Sequence, residues 1–333
     1  MITVAVDTET ELIRPGLLAP KLVCLSWAFI PETSDHIISG IAKTPEELDR
    51  TFGQWLNGAA NYTNGVRIIG HNTAYDMAVL AAYNPEWLEP MFKAYERGNI
   101  EDTKIRQQLL DIADGSFWKN KKRGGYSLKS LAEKHLKMEM SKGEDTWRLR
   151  YGELIDVDLD DWPAEAREYA IKDAEATHEV FYKQGTVTNS KEQTANAWAL
   201  HLMSCWGVTT DKPRVDKFVQ EAKDSMAVLK EKLSRTGLMR VDGTKNLKAI
   251  RERVAGLSKS PKLTDKGNIA TDEAAIKATG DKDLLMLVDF SKAQKLDSVW
   301  SRYLIQGTNT NTPIQASFHC LVESGRTSCS KPN

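Results

Sequence analysis

Val4-Ala5-Val6-Asp7-Thr8-Glu9-Thr10 reads as an apolar strand that runs out onto two carboxylates. Residues i and i+2 of a strand share a face, so Asp7 and Glu9 look toward a common point a few ångströms away. Like charges held that close raise each other's pKa and call for a cation, and oxygen ligands of this hardness suit Mg²⁺ or Mn²⁺. A plainer account of the same residues is an acidic strand end that discourages edge pairing or caps a turn. The choice between the two depends on what the rest of the chain supplies.

The chain has 333 residues, enough for two domains with a core each, and an ordinary globular composition with a formal net charge of −1. Met1-Ile2-Thr3-Val4 enters the first strand without a basic segment and apolar stretch ahead of it, and no run of 18 apolar residues occurs, which predicts a cytoplasmic protein without membrane association. Cys24, Cys205, Cys320 and Cys329 are scattered and form no C-x-x-C pair, so reduced thiols are expected rather than a zinc site or a disulfide framework. A total charge near zero neither requires nor excludes a polyanionic partner, because local patches set the field it meets. Two patches stand out: Lys119, Lys121, Lys122 and Arg123 ahead of Gly124-Gly125, and Lys259, Lys262 and Lys266 in a Pro/Gly-containing loop. Each is either a solvated loop or a phosphate contact.

Up to about residue 185 the pattern alternates. Apolar runs at Ile2 to Val6, Leu22 to Ile30 and Val66 to Ile69 predict strands, and Pro45 to Leu56, Ala74 to Tyr83, Ser127 to Leu136 and Pro163 to Tyr182 predict helices, which together make an α/β domain. Ser127 and the Asp161-Trp162-Pro163 run carry helix-start signals. The polar, breaker-rich stretch Gly185 to Ser190 predicts a domain boundary. Beyond it the pattern is mainly helical, with segments from Gln193 to Cys205, Lys212 to Thr236, Leu247 to Ala255, Asp272 to Thr279 and Lys282 to Ile305. The last residues, from Thr308, are polar and turn-rich, and only Ile314 to Val322 alternates as a strand would.

Further acids fall where α/β folds bind ligands. Asp76, in Gly70-His71-Asn72-Thr73-Ala74-Tyr75-Asp76, follows a strand at the start of a helix; it either faces a ligand or favours the positive end of the helix dipole, and His71 reads as a packing or hydrogen-bonding residue. Tyr169 and Asp173 are four apart, so a phenol and a carboxylate share one helical face. Asp7, Glu9, Asp76 and Asp173 could therefore converge on two divalent cations about 4 Å apart, the arrangement used for in-line displacement at phosphorus.

The segments VDTET, GHNTAYDMAVL and YAIKDAEATHEVF resemble the three motifs of the DEDD 3′-5′ exonucleases, in the subclass marked by Y-x-x-x-D, and the stretch from Tyr126 to Leu136 resembles the helix ahead of the third motif. A histidine-type enzyme would carry His where this chain has Glu168. The second half is similar to family A DNA polymerases of the DNA polymerase I type: Trp206 to Asp211 resembles the beginning of the thumb, Lys262 to Glu273 the thumb tip, and Ser324 to Asn333 the start of the palm.

The resemblance implies an RNase H-like exonuclease domain, a mixed sheet flanked by helices, over residues 1–187, then a helical thumb-like region over 188–307 and an incomplete palm over 308–333. It implies that Asp7, Glu9 and Asp173 hold one Mg²⁺ or Mn²⁺, that Asp7 also reaches a second held by Asp76 largely through water, and that Glu9 and Tyr169 orient the attacking water. Thr8 and Asn72 would touch the terminal nucleotide, Leu12 or Ile13 would wedge against its base, and Lys119, Lys121, Lys122, Arg123, Lys262 and Arg326 would meet DNA phosphates. The implied partner is DNA, a single-stranded 3′ end at the exonuclease site and duplex at the thumb, with nucleoside 5′-monophosphates as products. The chain lacks the palm aspartates and fingers of that family, so no polymerase activity is expected from it alone. Either the chain is a fragment of such a polymerase, or a separate palm-and-fingers chain, in a bacterial or phage-infected cell, would complete a split enzyme. Two other functions are compatible with the same residues: an RNase D-like exoribonuclease, and a DNA-holding subunit of a split polymerase.

Overall fold

A computed structural model describes residues 1–62, 65–140 and 147–331, which form two units: 1–207 together with 315–331, and 208–314. Among the described residues of the first unit, five strands make one mixed sheet in the order β3-β2-β1-β4-β5. They are β1 (Ile2–Thr10), β2 (Leu22–Phe29), β3 (Ile38–Ala42), β4 (Val66–Gly70) and β5 (Ile100–Asp102). β1 is central, antiparallel to β2 and parallel to β4. Its register sets Asp7 opposite Ser26 and Glu9 opposite Cys24, and shifts between Glu9 and Thr10, where the strand ends. The first strand is thus longer than its apolar run suggests, because pairing with β2 carries both acids into the ladder.

Alternation along β1 divides the two faces. Val4 and Val6 join Ile68, Ala74, Met77 and Leu80 in one core, under the helix Thr73–Tyr83. Ala5 turns the other way, against Ala28, Ile69, Ala174 and Phe181. The helix Ala164–Lys183 covers that second face with Ala166, Ala170 and Ala174, a stripe of three small side chains spaced four apart that allows close approach to the sheet. Asp7 and Glu9 have the parity of Ala5 and so lie on the side of this helix.

Several elements depart from the sequence expectation. β3 and β5 lie outside the expected strands, as do the helices Leu88–Glu96, Thr103–Ala113 and Phe117–Lys122. β5 is three residues long and two of them are acids, yet all three are buried. Glu101 lies between Arg67 and Arg106, while Asp102 caps helices. The helical stretch from Pro45 continues to Asn61, through a π turn at Asp49–Gly53.

In the second unit, Leu233, Leu238, Ile250, Val254, Ile276, Leu284, Leu287 and Phe290 form the core of the helices Lys212–Ser234, Leu247–Leu257, Glu273–Thr279 and Lys282–Lys295. Asp211, Asn246, Asp272 and Asp281 cap these four helices with side-chain oxygens, which fixes where each begins. A further π turn at Leu296–Ser301 leads into Arg302–Thr310. The segment from Gln315 packs in the first unit, where Cys320 and Leu321 join Ile105 in a small core and β6 (Ser317–His319) pairs with β7 (Ser328–Ser330). Among the described residues the cysteines are free thiols, and no helix is long and apolar enough to cross a membrane.

Candidate active site

The end of β1 forms one wall of a cavity of about 320 Å³ lined by Asp7, Thr8, Glu9, Asn72, Tyr75, Asp76, Tyr169 and Asp173, with His71, Lys104, Tyr126, Ser127, Leu128 and Arg148 completing it. The four acids among them come from three separated parts of the chain, which therefore meet here. One oxygen from each of Asp7, Glu9 and Asp173 lies within 4.8 Å of the others, a donor set able to hold a hard divalent cation. The helix Ala164–Lys183 supplies Asp173 and, one turn earlier, Tyr169, whose ring lies 6.3 Å from Tyr151. Tyr151 fixes that surround by donating its hydroxyl to the Ala166 carbonyl at 2.7 Å.

Asp76 stands apart from the trio. Its Oδ1 accepts the Thr8 N–H at 3.0 Å and the Thr8 hydroxyl at 2.6 Å, so Thr8, whose parity turns it toward Thr73–Tyr83, ties the strand end to that helix. Thr8 is buried, and its hydroxyl is directed to Asp76. Tyr75, on the same helix, shares a hydrogen bond of 2.7 Å with the Thr10 hydroxyl.

The turn into the helix is held as firmly. Asn72 adopts a left-handed φ of 67°, and a Cβ on Gly70 would lie 2.8 Å from Thr73 Oγ1. Asp102 accepts from the N–H groups of Asn72 and Thr73 at 3.2 and 2.9 Å, and from those of Lys104 and Ile105 at 2.7 and 3.2 Å. One buried carboxylate thus caps two helices. His71 has Nδ1 2.9 Å from the Thr103 hydroxyl and Nε2 3.1 Å from the Tyr126 carbonyl, so it braces the turn.

The electrostatics follow from burial. Desolvation raises Asp7 and Glu9 well above the usual carboxylate range; Asp76 and Asp173 push both further, and Arg148 opposes. Asp76 is pushed up to about 7, chiefly by burial, against the pull of its two hydrogen bonds from Thr8. Tyr169 is raised by burial and then by Asp173, and Tyr75 is raised to about 12 by burial. Three buried acids raised in this way, with Asp173 and two neutral phenols beside them, make a cavity whose charge a divalent cation would offset.

The remaining candidates lie elsewhere. Leu12 and Ile13 are exposed, at 54% and 56%. Lys119, Lys122 and Arg123 are on the surface, and Lys121 stacks its ammonium over Phe117 and Trp118, 5.3 and 5.2 Å from the ring centres. Arg326 sits in an exposed turn, its carbonyl accepting the Val322 N–H at 3.1 Å. Lys262, in the second unit, pairs with Asp272 at 3.4 Å. Arg148 and Lys104 enter the cavity without having been singled out in the sequence, since neither belongs to a motif and only the fold brings them to the acids.

Known proteins resemble the chain in sequence and in fold. The family model described as 3′-5′ exonuclease, of the DNA polymerase A exonuclease type, matches residues 1–185. No curated protein sequence matches the chain. Among solved structures, the POL domain of Pol1 from M. smegmatis, in complex with DNA primer-template and dNTP, aligns with a TM-score of 0.59 at 17% identity. All of the present chain is covered, and it spans 51% of that one. At that identity the likeness is one of fold, whereas the family match takes in more than half of the chain: the protein belongs to the 3′-5′ exonuclease family of DNA polymerase A type.

Proposed function

We propose that the chain is a metal-dependent 3′-5′ exonuclease of the DEDD type with a catalytic tyrosine, acting on single-stranded DNA 3′ ends and serving a family A polymerase as its proofreading activity. The observation that carries this reading is the meeting of Asp7, Glu9 and Asp173 within 4.8 Å, with Asp76 and Tyr169 lining the same cavity. Three of these acids offer oxygens at one point, and Asp76 offers a fourth carboxylate across the strand end.

Bound at the acids, two Mg²⁺ or Mn²⁺ ions would supply a water of lowered pKa and offset charge on the scissile phosphate. The protein's part is positional. Asp7, Glu9 and Asp173 would hold one ion, and Asp76, steadied by Thr8, the second. Tyr169 stays protonated at neutral pH because burial raises it, so its hydroxyl can donate to, or align, the attacking water held by Glu9. Asn72, fixed at its left-handed turn, would meet the terminal nucleotide, and release of a nucleoside 5′-monophosphate would follow cleavage at the 3′ linkage.

The thumb-like region expected over 188–307 is read onto the helical second unit, 208–314, with the helix Ser190–Trp206 left in the first unit, and the palm start expected over 308–333 onto residues 315–331. The Pol1 structure holds primer-template, and by analogy the present chain would hold DNA, with a palm and fingers supplied on the same polypeptide or a separate one. The test is Asp7→Ala. Wild type should degrade single-stranded DNA with Mg²⁺ or Mn²⁺, and the variant should lose at least roughly a hundredfold in rate, as removal of a metal ligand predicts. Hydrolysis by Asp7→Ala at the wild-type rate would overturn the assignment.

A further inference from the structure

Lys104 belongs to none of the sequence motifs, and its surroundings set it apart from the other lysines. It opens the helix Thr103–Ala113 and lines both the acid cavity and a neighbouring one of about 470 Å³. Asn72, Tyr126 and Ser127 line both as well, so Lys104 stands at the doorway between them. Its ammonium donates to the Asn72 side-chain carbonyl at 2.9 Å, a neutral partner. Among the described residues it makes no ion pair.

Burial raises the pKa of Asp102 and the charge of Lys104 lowers it, but the two residues form no ion pair. Both oxygens of Asp102 are engaged by four backbone N–H groups, two of them from the turn that carries Asn72. The second cavity is lined further by Lys121 and His319, and the charge of Lys104 is felt by His319 and by His201, both of which burial, first, drives below the usual imidazole range. A solvent-accessible ammonium that forms no ion pair, anchored by a neutral amide and flanked in the second cavity by Lys121 and His319, is arranged to meet an anion that arrives with the ligand.

We propose that Lys104 is a phosphate-binding residue that holds the phosphodiester one nucleotide 5′ of the scissile linkage, where the strand passes from the acid cavity into the neighbouring one. This rests on the exonuclease reading above. A strand whose terminal linkage lies at the acids must carry its next phosphate out of that cavity, and the doorway is where an unpaired cation stands. Asn72 fixes the ammonium, and Asp102 fixes Asn72, so the residue is a positioned contact rather than a mobile surface charge.

Binding of a short 5′-labelled single-stranded DNA to the whole chain, in EDTA so that no hydrolysis occurs, tests it by fluorescence anisotropy across a salt series. Lys104→Ala and Lys104→Gln should each weaken binding roughly tenfold, and lower the slope of log affinity against log salt by about 0.7, the loss of one phosphate contact. Lys104→Arg should keep both. A neutral methylphosphonate at the second linkage from the 3′ end should cost the wild type a similar factor and cost Lys104→Ala nothing further. Lys104→Gln keeps an amide donor for Asn72; if it binds as tightly as wild type, or if Lys104→Ala still senses the methylphosphonate, the proposal is wrong and the lysine only braces the turn. Hydrolysis of the same DNA with Mn²⁺ is measured separately. A wild type that binds but does not hydrolyse removes the exonuclease reading, while the binding series still decides Lys104.

Discussion

Tyr169 and Thr8 show how much of the site depends on single polar atoms. Tyr169 shares its helical face with Asp173 and lines the same cavity, but burial keeps its phenol neutral, a weak ligand for a hard cation beside carboxylates, so its hydroxyl and the cation site should be separable. Tyr169→Phe should lower the hydrolysis rate roughly 10–100-fold while leaving Mn²⁺ affinity, followed by titration calorimetry, close to wild type. Equal turnover in the two proteins would take the phenol out of the chemistry. Thr8 acts on Asp76 instead: its hydroxyl and N–H are the groups that pull the Asp76 pKa down against burial. Thr8→Val removes the hydroxyl and keeps the N–H. The Asp76 pKa should then rise further above about 7, and the acidic limb of the pH–rate profile should move to higher pH. An unmoved limb would mean that Asp76 does not control it.

At the scale of elements, the site is a junction of strand ends and helix starts, and Asp102 is its keystone. Replacing it by alanine leaves four backbone N–H groups without their acceptor in a buried place, and should cost roughly 2–4 kcal/mol by denaturant unfolding. Asp102→Asn, which retains one acceptor oxygen, should cost less; equal stability of Asp102→Ala and wild type would dismiss the capping role. Asp102 also marks the limit of what the sequence discloses. The central strand, its two acids and the helices carrying Asp76 and Asp173 were legible because apolar periodicity and spacing are local properties. β5 was not, because Ile100-Glu101-Asp102 is short and acidic, and its burial depends on Arg67, Arg106 and helix N–H groups contributed by other segments. β3 is an edge strand with only Ala42 buried, so it has no apolar run to betray it. Lys104 and Arg148 escaped for a related reason: a lone cation has no spacing signature, and only the folded chain sets it beside an acidic cavity.

At the scale of the molecule, the acid cluster makes stability depend on pH and on cations together. Asp76 has a folded pKa of about 7 against an ordinary value of 3.8, so through that interval the folded protein holds a proton that the unfolded chain has released. Stability of the metal-free protein must therefore fall as pH rises toward and through 7, and Asp7 and Glu9, raised in the same direction, add to the slope. His201, driven down to about 4 from 6.5, and His135, His178 and His319, also lowered first by burial, work in the opposite sense until the unfolded imidazoles have lost their protons, which leaves the window between about pH 7 and 8. Across that window, calorimetry in EDTA should show the melting temperature of the first unit's transition declining, by roughly 2–4 °C for each 1 kcal/mol lost. Millimolar Mn²⁺ should reverse the decline, because the cation binds the folded acids and not the separated ones of the unfolded chain. Asp76→Asn keeps an oxygen for Thr8 but removes the charge, so without metal at pH 8 it should melt above wild type and show a shallower slope. A metal-free melting temperature indifferent to pH, or an Asp76→Asn variant that melts no higher than wild type at pH 8, would mean that the four carboxylates are not strained against one another in the fold.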